Sequence, residues 1–189
     1  QEGAPVRIRA FISIRIPDPS CLKGPLADLK VKDNVRTSPL DQMHITLKFI
    51  GDVDDGKVPR IVKAIYSAVE GVSPFTVTLK GAGCFPNPKR PSVVWVGASP
   101  QDVMSGISER IGENLKACNV QFDEKPFKSH ITIGRCKGPV SIDDFLSKYS
   151  KEEFSSFQCS EILLMRSELG PSGAKHTVIA RIPLTADAT

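Results

Sequence analysis

Two tetrapeptides, His44-Ile45-Thr46-Leu47 and His130-Ile131-Thr132-Ile133, nearly repeat each other and begin 86 residues apart. They contain two of the three histidines in the 189-residue chain. Successive side chains of a β-strand point to opposite faces, so the histidine and threonine of each copy share a face. Each copy therefore presents one acid–base imidazole and one hydroxyl on the same side of a strand.

A fold that brings the two copies together would create a pocket with two imidazoles and two hydroxyls. This set suits an in-line displacement at a phosphate, because a neutral imidazole can take a proton from water while a protonated one donates a proton to the leaving oxygen. The hydroxyls of Thr46 and Thr132 would donate to the non-bridging oxygens. The alternative is that both segments are ordinary strands with surface histidines. The presence of the same tetrapeptide pattern at corresponding places of the two halves makes this alternative the weaker one.

Around the tetrapeptides the predicted elements follow one order in both halves of the chain: strand, helix, His-x-Thr strand, helix, strand, strand. The strand at Ser92 ends the first unit and begins the second. Apolar spacing predicts helices over 58–69 and 101–118 and a strand over 157–165. The repeat predicts an α+β fold in one domain, 1–189, with two similar lobes (7–90 and 92–184) related by a pseudo-two-fold axis. We expect two mainly antiparallel sheets to line a central cleft, with the helices outside.

The composition is that of a globular protein, with 40% hydrophobic and 24% charged residues and no apolar run as long as a membrane span. A net charge of +4 favours a polyanionic partner without requiring one. The five cysteines are scattered, without zinc or redox spacing, which predicts reduced thiols in a cytoplasmic protein. We expect a monomer that needs no metal or other cofactor, since two imidazoles without carboxylate or thiolate ligands nearby make a poor zinc site.

Several blocks of this sequence resemble the 2H phosphoesterases, and most closely the RNA 2′,3′-cyclic phosphodiesterases, also called 2′-5′ RNA ligases. The resemblance covers nearly the whole chain. In chain order, the blocks are Arg9-Ala10-Phe11-Ile12, His44 to Gly51, Gly83-Cys84-Phe85-Pro86, Val94-Trp95-Val96-Gly97, Phe127 to Arg135, and Arg166-Ser167-Glu168-Leu169.

The resemblance implies metal-independent hydrolysis of a terminal RNA 2′,3′-cyclic phosphate to a 2′-phosphate. In some family members it also implies reversible 2′-5′ joining of tRNA halves. By position, His44 would be the proton donor and His130 the proton acceptor. The chain departs from the family at Ser129, where proline often precedes the second histidine, and at His176, where the final hairpin often carries tyrosine.

Four further residues are candidates for binding the substrate. Arg135 could clamp a phosphate, although strand alternation puts it opposite His130 unless Gly134 introduces a bulge. Lys48 has the same strand parity as His44 and Thr46. Phe85 and Phe127 flank the motifs and could stack on a base, although core packing is the alternative for each.

Two residues outside this set are interpreted as structural. The sequence around Trp95 is an apolar run, which predicts a core position. His176 is interpreted as an ordinary turn or strand residue.

Two other functions remain open from sequence. The chain could hydrolyse another cyclic nucleotide or a 2′-5′ oligonucleotide, or it could be a non-catalytic module that binds RNA ends. A substrate panel with product identification separates the first from RNA hydrolysis, and binding without turnover would identify the second.

Overall fold

A computed structural model describes residues 3–4 and 6–187 of the chain. The helices are α1 (Lys23–Lys30), α2 (Val58–Ala68), α3 (Gln101–Ala117) and α4 (Asp143–Tyr149). The strands are β1 (Arg7–Arg15), β2 (Val35–Thr37), β3 (His44–Asp54), β4 (Phe75–Phe85), β5 (Val93–Ser99), β6 (His130–Cys136), β7 (Glu153–Cys159), β8 (Glu161–Gly170) and β9 (Gly173–Pro183).

The strands form two antiparallel sheets. One has four strands in the order β3-β1-β8-β9, and the other has five in the order β2-β6-β5-β4-β7. The two His-x-Thr strands lie in different sheets, β3 at the edge of the first and β6 one strand in from the edge of the second. The predicted α+β class with two antiparallel sheets is confirmed.

A constant spacing relates the two sheets. The strand pairs β1 and β5, β3 and β6, and β4 and β8 begin at residues 7 and 93, 44 and 130, and 75 and 161, so each pair is 86 residues apart. The order β3-β1-β8-β9 therefore corresponds to β6-β5-β4-β7, and β2 is an addition without a counterpart. Each sheet takes strands from both chain halves, because β4 joins the five-stranded sheet and β8 the four-stranded one.

The helices cover the outer faces of the sheets. Helices α1 and α4 pack on the five-stranded sheet, whereas α2 and α3 pack on the four-stranded sheet. Buried Ser108 of α3 donates to the carbonyl of Leu47 at 2.7 Å, which fixes the helix against β3. Asn114 of α3 donates to the carbonyl of Ala64 in α2 at 3.0 Å. The cleft faces of β3 and β6 are thereby left free of helices.

The predicted helices at 58–69 and 101–118 match α2 and α3 to within one residue. The single strand predicted over 157–165 is wrong. The chain leaves the five-stranded sheet after Cys159 and enters the four-stranded sheet at Glu161. Cys159 ends β7 and the apolar run of β8 begins at Ile162, so the sequence around Ser160 carries no turn signal that would mark the switch.

Trp95 requires a glycine on the neighbouring strand. Its ring lies over Gly83, its partner in the β4–β5 register, and a Cβ at Gly83 would overlap Cζ2 of the indole. Trp95 is half-buried on the cleft side, 5.4 Å from the ring of Phe85 between centroids. The core position predicted for Trp95 is therefore wrong: alternation along β5 buries Val94 and Val96 beneath the helices instead.

The substitution Gly83→Ala is expected to destabilise the protein by about 1–3 kcal/mol, because the added methyl group forces the indole out of its place. Chemical unfolding gives the free energy, and the emission of Trp95, the one tryptophan in the sequence, reports the local change. Gly56→Ala is the matched control, since a Cβ there meets no atom within 4 Å. Equal stability of the two variants would contradict this packing.

Candidate active site

Strand alternation places the four motif side chains on the cleft faces of β3 and β6. The intervening residues Ile45, Leu47, Ile131 and Ile133 are at most 2% exposed and pack into the core. The structure brings the motif side chains together around one cavity of about 210 Å³. Its lining includes His44, Thr46, His130, Thr132, Arg135 and His176.

Both catalytic candidates are oriented by the same hydrogen bond. Nδ1 of His44 lies 2.6 Å from the carbonyl oxygen of Gln42, and Nδ1 of His130 lies 2.6 Å from that of Lys128. A carbonyl can only accept, so Nδ1 of each ring carries the hydrogen. Nε2 of each ring is therefore the atom left to exchange protons with a ligand.

The protein lowers the pKa of both imidazoles. Burial lowers the pKa of His44, the bond to the Gln42 carbonyl opposes this, and the nearby imidazoles of His176 and His130 lower it further. Burial also lowers the pKa of His130 against its bond to Lys128, and the cations of Arg135 and Lys128 add to the effect. Because a protonated His130 lowers the pKa of His44, the two rings are electrostatically coupled across the cleft.

The hydroxyls of Thr46 and Thr132 have no hydrogen-bond partner among the residues that the structure describes. Both threonines are half-buried and line the cavity beside the histidines. An oxyanion in the cavity could accept a hydrogen bond from each hydroxyl.

A bulge brings Arg135 to the face of the histidines. Gly134 pairs with Val94 and Thr132 with Trp95, so Ile133 is an extra residue in β6. Ile133 and Gly134 both face the core, and the alternation restarts with Arg135 exposed in the cleft. Simple alternation, which puts Arg135 on the face opposite His130, is therefore wrong. The bulge lies at Ile133, one residue before Gly134, and it reverses the alternation for the residues that follow.

The other three candidates line an adjoining cavity of about 390 Å³, which shares Thr46, Thr132, His130 and Arg135 with the first. Lys48 lines this second cavity, with Nζ 5.0 Å from the ring centre of Phe122. The face shared with His44 and Thr46 that alternation predicts for Lys48 is wrong, because Leu47 is an extra residue in β3 and Lys48 pairs with buried Ile12. Its side chain packs against α3, where a Cβ on Gly112 would lie 3.0 Å from Cε of Lys48. Burial lowers the pKa of Lys48, and the charge of Glu109 opposes this shift. The lining of this cavity thus combines cationic and aromatic side chains.

Phe85 and Phe127 form aromatic surface in the second cavity. The edge of the Phe85 ring meets His130 with the centroids 5.3 Å apart, and Nζ of Lys128 lies 5.3 Å from the Phe85 ring centre. Phe127 is also packed against the core, as the alternative interpretation of the sequence expected, and it lines the cavity at the same time. An aromatic wall next to a phosphate-sized cavity is suited to a nucleobase.

Sequence reasoning missed His176. This residue of β9 lines the 210 Å³ cavity, and its ring centre is 5.6 Å from that of His44 and 5.0 Å from that of Phe11. Burial lowers the pKa of His176, and the charge of Asp41 opposes the shift. The sequence offered one indication of this position: the family often carries tyrosine, another polar aromatic residue, where this chain has His176.

Ser129 holds the start of β6. Its hydroxyl donates to the carbonyl of Ala98 at 2.5 Å or to Oε1 of Gln101 at 2.6 Å, and its amide donates to the same Oε1 at 2.7 Å. Gln101 Nε2 also donates to the carbonyl of Phe127 at 3.2 Å. The residue that differs from the family's usual proline therefore anchors the segment before His130 to the beginning of α3.

Over residues 3–4 and 6–187, no three His, Cys, Asp or Glu side chains are grouped as a metal site would require. No helix in that part of the chain is long and apolar enough to cross a membrane.

The chain belongs to the 2′-5′ RNA ligase superfamily, whose sequence pattern matches residues 17–171. Similar proteins include the RNA 2′,3′-cyclic phosphodiesterase of Methanothermobacter thermautotrophicus, 30% identical over 91% of this chain and 96% of that one. The enzyme of the same name from Archaeoglobus fulgidus is 31% identical over 88% of this chain and 94% of that one.

Solved structures share the fold. A protein of Thermus thermophilus, 25% identical, superposes with a TM-score of 0.79 over 96% of this chain and all of that one. Escherichia coli LigT, crystallised with phosphate, is 21% identical and superposes with a TM-score of 0.74 over 96% and 99% of the two chains. The latter likeness concerns the fold alone.

We expect His44 and His130 to titrate below the ordinary histidine pKa of about 6.5. A lowered pKa means that the proton is lost at lower pH, so both rings are mainly neutral at pH 7. Inorganic phosphate should raise at least one pKa, because an anion stabilises imidazolium. NMR titration of the ring protons, assigned with single His→Gln variants, measures this; pKa values above 6.5 for both free rings would contradict the burial of the site.

Proposed function

We propose that this protein hydrolyses RNA 2′,3′-cyclic phosphate ends to 2′-phosphomonoesters with two histidines as acid and base. The observation that carries the proposal is the pair of imidazoles around one cavity, each with Nδ1 bonded to a carbonyl and Nε2 free. The names of the related phosphodiesterases supply the substrate class.

The proposed reaction is one in-line displacement. The Nε2 atom of neutral His130 takes a proton from water, and the water oxygen forms a bond to phosphorus. The bond between phosphorus and O3′ breaks as His44, protonated at Nε2, gives its proton to O3′. The product is a 2′-phosphomonoester with a free 3′ hydroxyl; exchange with solvent then returns each histidine to its starting state.

The surroundings of the two rings support this choice of base and acid. Arg135 and Lys128 place fixed positive charge beside His130, which favours the neutral form that a base requires. The neighbours that act on the charge of His44 are His176 and His130, and each of them carries no charge in its neutral form. Within the described part of the chain, His44 therefore has no fixed positive charge of that kind against its own protonation. An anionic substrate would favour a proton on His44.

The non-bridging oxygens are assigned to Thr46, Thr132 and Arg135. The two hydroxyls are free to donate, and the guanidinium can bind two oxygens at once. As negative charge accumulates on these oxygens in the transition state, fixed donors stabilise it more than the ground state. These groups can supply the stabilisation without a metal, and we propose a metal-independent enzyme.

The ligase direction is a second candidate. If a 5′ hydroxyl attacks the cyclic phosphate in place of water, the product is a 2′-5′ phosphodiester. In the reverse reaction, cleavage of that 2′-5′ bond, the two histidines exchange their roles as acid and base. A third cavity of about 200 Å³, lined by Phe11, Arg15, His44 and His176 among others, offers space for a further nucleoside. Paired tRNA halves are the substrates we propose for this reaction, with a monomeric cytoplasmic enzyme acting on them.

His44→Ala and His130→Ala should each lower kcat/KM for an oligoribonucleotide 2′,3′-cyclic phosphate by about 100-fold or more, because each removes one proton transfer. The assay separates 2′- from 3′-phosphate products by chromatography, and the emission of Trp95 checks that the variants fold. Wild-type turnover by either variant would exclude the two-histidine mechanism.

Parallel arms of this assay test the alternatives. Loss of activity in EDTA that zinc restores would contradict metal independence. Faster turnover of another cyclic nucleotide or of a 2′-5′ oligonucleotide would reassign the substrate, and tight RNA binding without turnover would identify a binding module. Incubation with paired tRNA halves, followed by detection of a 2′-5′ junction, tests ligation.

Thr46→Val and Thr132→Val should have a milder effect, lowering kcat by about 10- to 100-fold, since each removes one donor to the transition state while keeping the shape of the side chain. Thr76→Val is the control, because Thr76 is an exposed strand threonine that donates to Gln158 and lies outside the cleft cavities. Equal kcat in wild type and in both cleft variants would remove the hydroxyls from the mechanism.

A further inference from the structure

A row of side chains crosses the cleft face of the five-stranded sheet. The strand registers pair Arg36 of β2 with Arg135, Arg135 with Val93, and Val93 with Phe85. Directly paired residues of antiparallel strands point to the same face. Because Arg135 and Phe85 line the cleft cavities, this row runs from an aromatic side chain at one end to two adjacent arginines at the other.

Arg36 reaches across the mouth of the cleft. Its Nη2 lies 3.6 Å from the place a Cβ would take on Gly173, at the start of β9 in the opposite sheet. Ser38, two residues further along the chain, lines the 210 Å³ cavity itself. Strand β2 is the element that has no counterpart in the four-stranded sheet, so Arg36 adds a charge to one side of an otherwise repeated cleft.

The two arginines have no acidic partner nearby. Both are exposed, and no carboxylate within the described ranges lies within 4.0 Å of either guanidinium. Two positive side chains at directly paired strand positions concentrate charge at this end of the row, and a ligand with two negative groups would balance it. Arginine is suited to this because its planar fork can bind two phosphate oxygens at once.

The geometry of a nucleoside cyclic phosphate fits the row. Its base leaves the ribose at C1′ and its 5′ carbon at C4′, from opposite ends, and the cyclic phosphate lies on the edge between them. With the phosphate between the two histidines and the base against Phe85, the 5′ carbon points along the row toward Arg135 and Arg36. Any phosphate on the 5′ oxygen would then come within reach of Arg36.

We propose that Arg36 binds the phosphate attached to the 5′ oxygen of the terminal nucleoside. This inference rests on the proposed hydrolysis and names its preferred substrate: a cyclic phosphate whose nucleoside also carries a 5′ phosphate group, as at the 3′ end of an RNA chain. Adenosine 2′,3′-cyclic phosphate with a free 5′ hydroxyl leaves Arg36 without a ligand.

The test compares three substrates: adenosine 2′,3′-cyclic phosphate, the same compound with a 5′ phosphate, and the dinucleotide ApA with a terminal 2′,3′-cyclic phosphate. The measured quantity is the preference, the ratio of kcat/KM for each 5′-phosphorylated substrate to that for the first. In Arg36→Ala we expect both preferences to fall about tenfold, as for the loss of one charge-assisted hydrogen bond. A fall for one substrate alone distinguishes a 5′ monophosphate from a phosphodiester as the ligand, and still supports the site.

Arg36→Lys, which keeps the charge but loses the planar fork, should retain an intermediate preference. Arg60→Ala is the control: Arg60 is an exposed arginine of α2 outside the cleft, and its removal should leave both preferences as in wild type. Preferences unchanged in Arg36→Ala would overturn the inference, including the case in which all three substrates slow equally. Failure of the wild type on all three would instead count against the proposed hydrolysis.

Discussion

The site depends on one hydrogen bond made twice, from Nδ1 of a histidine to the carbonyl two residues before it. At 2.6 Å in both copies, this bond fixes the ring and places the hydrogen on Nδ1 of the neutral form. Nε2 is then the ring nitrogen of each imidazole that is left to exchange a proton with a ligand. The bond also opposes the loss of the proton that burial promotes, so the lowered pKa of each ring is a balance between these two effects.

The interlocked sheets explain how two distant tetrapeptides meet. Strand β4 follows the first His-x-Thr strand but pairs beside β5, and β8 follows the second but pairs beside β1. Each sheet is therefore completed by the other half of the chain, and the two His-x-Thr strands are held against each other across the cleft. Strands β4 and β5 contribute an aromatic surface to the cleft. Gly83 makes room for the indole of Trp95, and Phe85 packs against that indole.

Much of this follows from local patterns in the sequence. Alternation along β3 and β6 predicts which side chains share a face, and helical spacing predicts α2 and α3, because these rules involve only near neighbours. The bulge at Ile133, the change of sheet at Ser160 and the position of His176 beside His44 depend on pairing between remote strands. Short β2 carries too few residues to show a period, so Arg36 could not be placed at the cleft from sequence.

The most direct test of the central claim is a crystal structure with the product analogue adenosine 2′-monophosphate bound. The account predicts phosphate oxygens within about 3.2 Å of Nε2 of both His44 and His130 and of both threonine hydroxyls, with the base against Phe85. A phosphate that contacts only one imidazole, or that binds outside the cavity between the two strands, would contradict it.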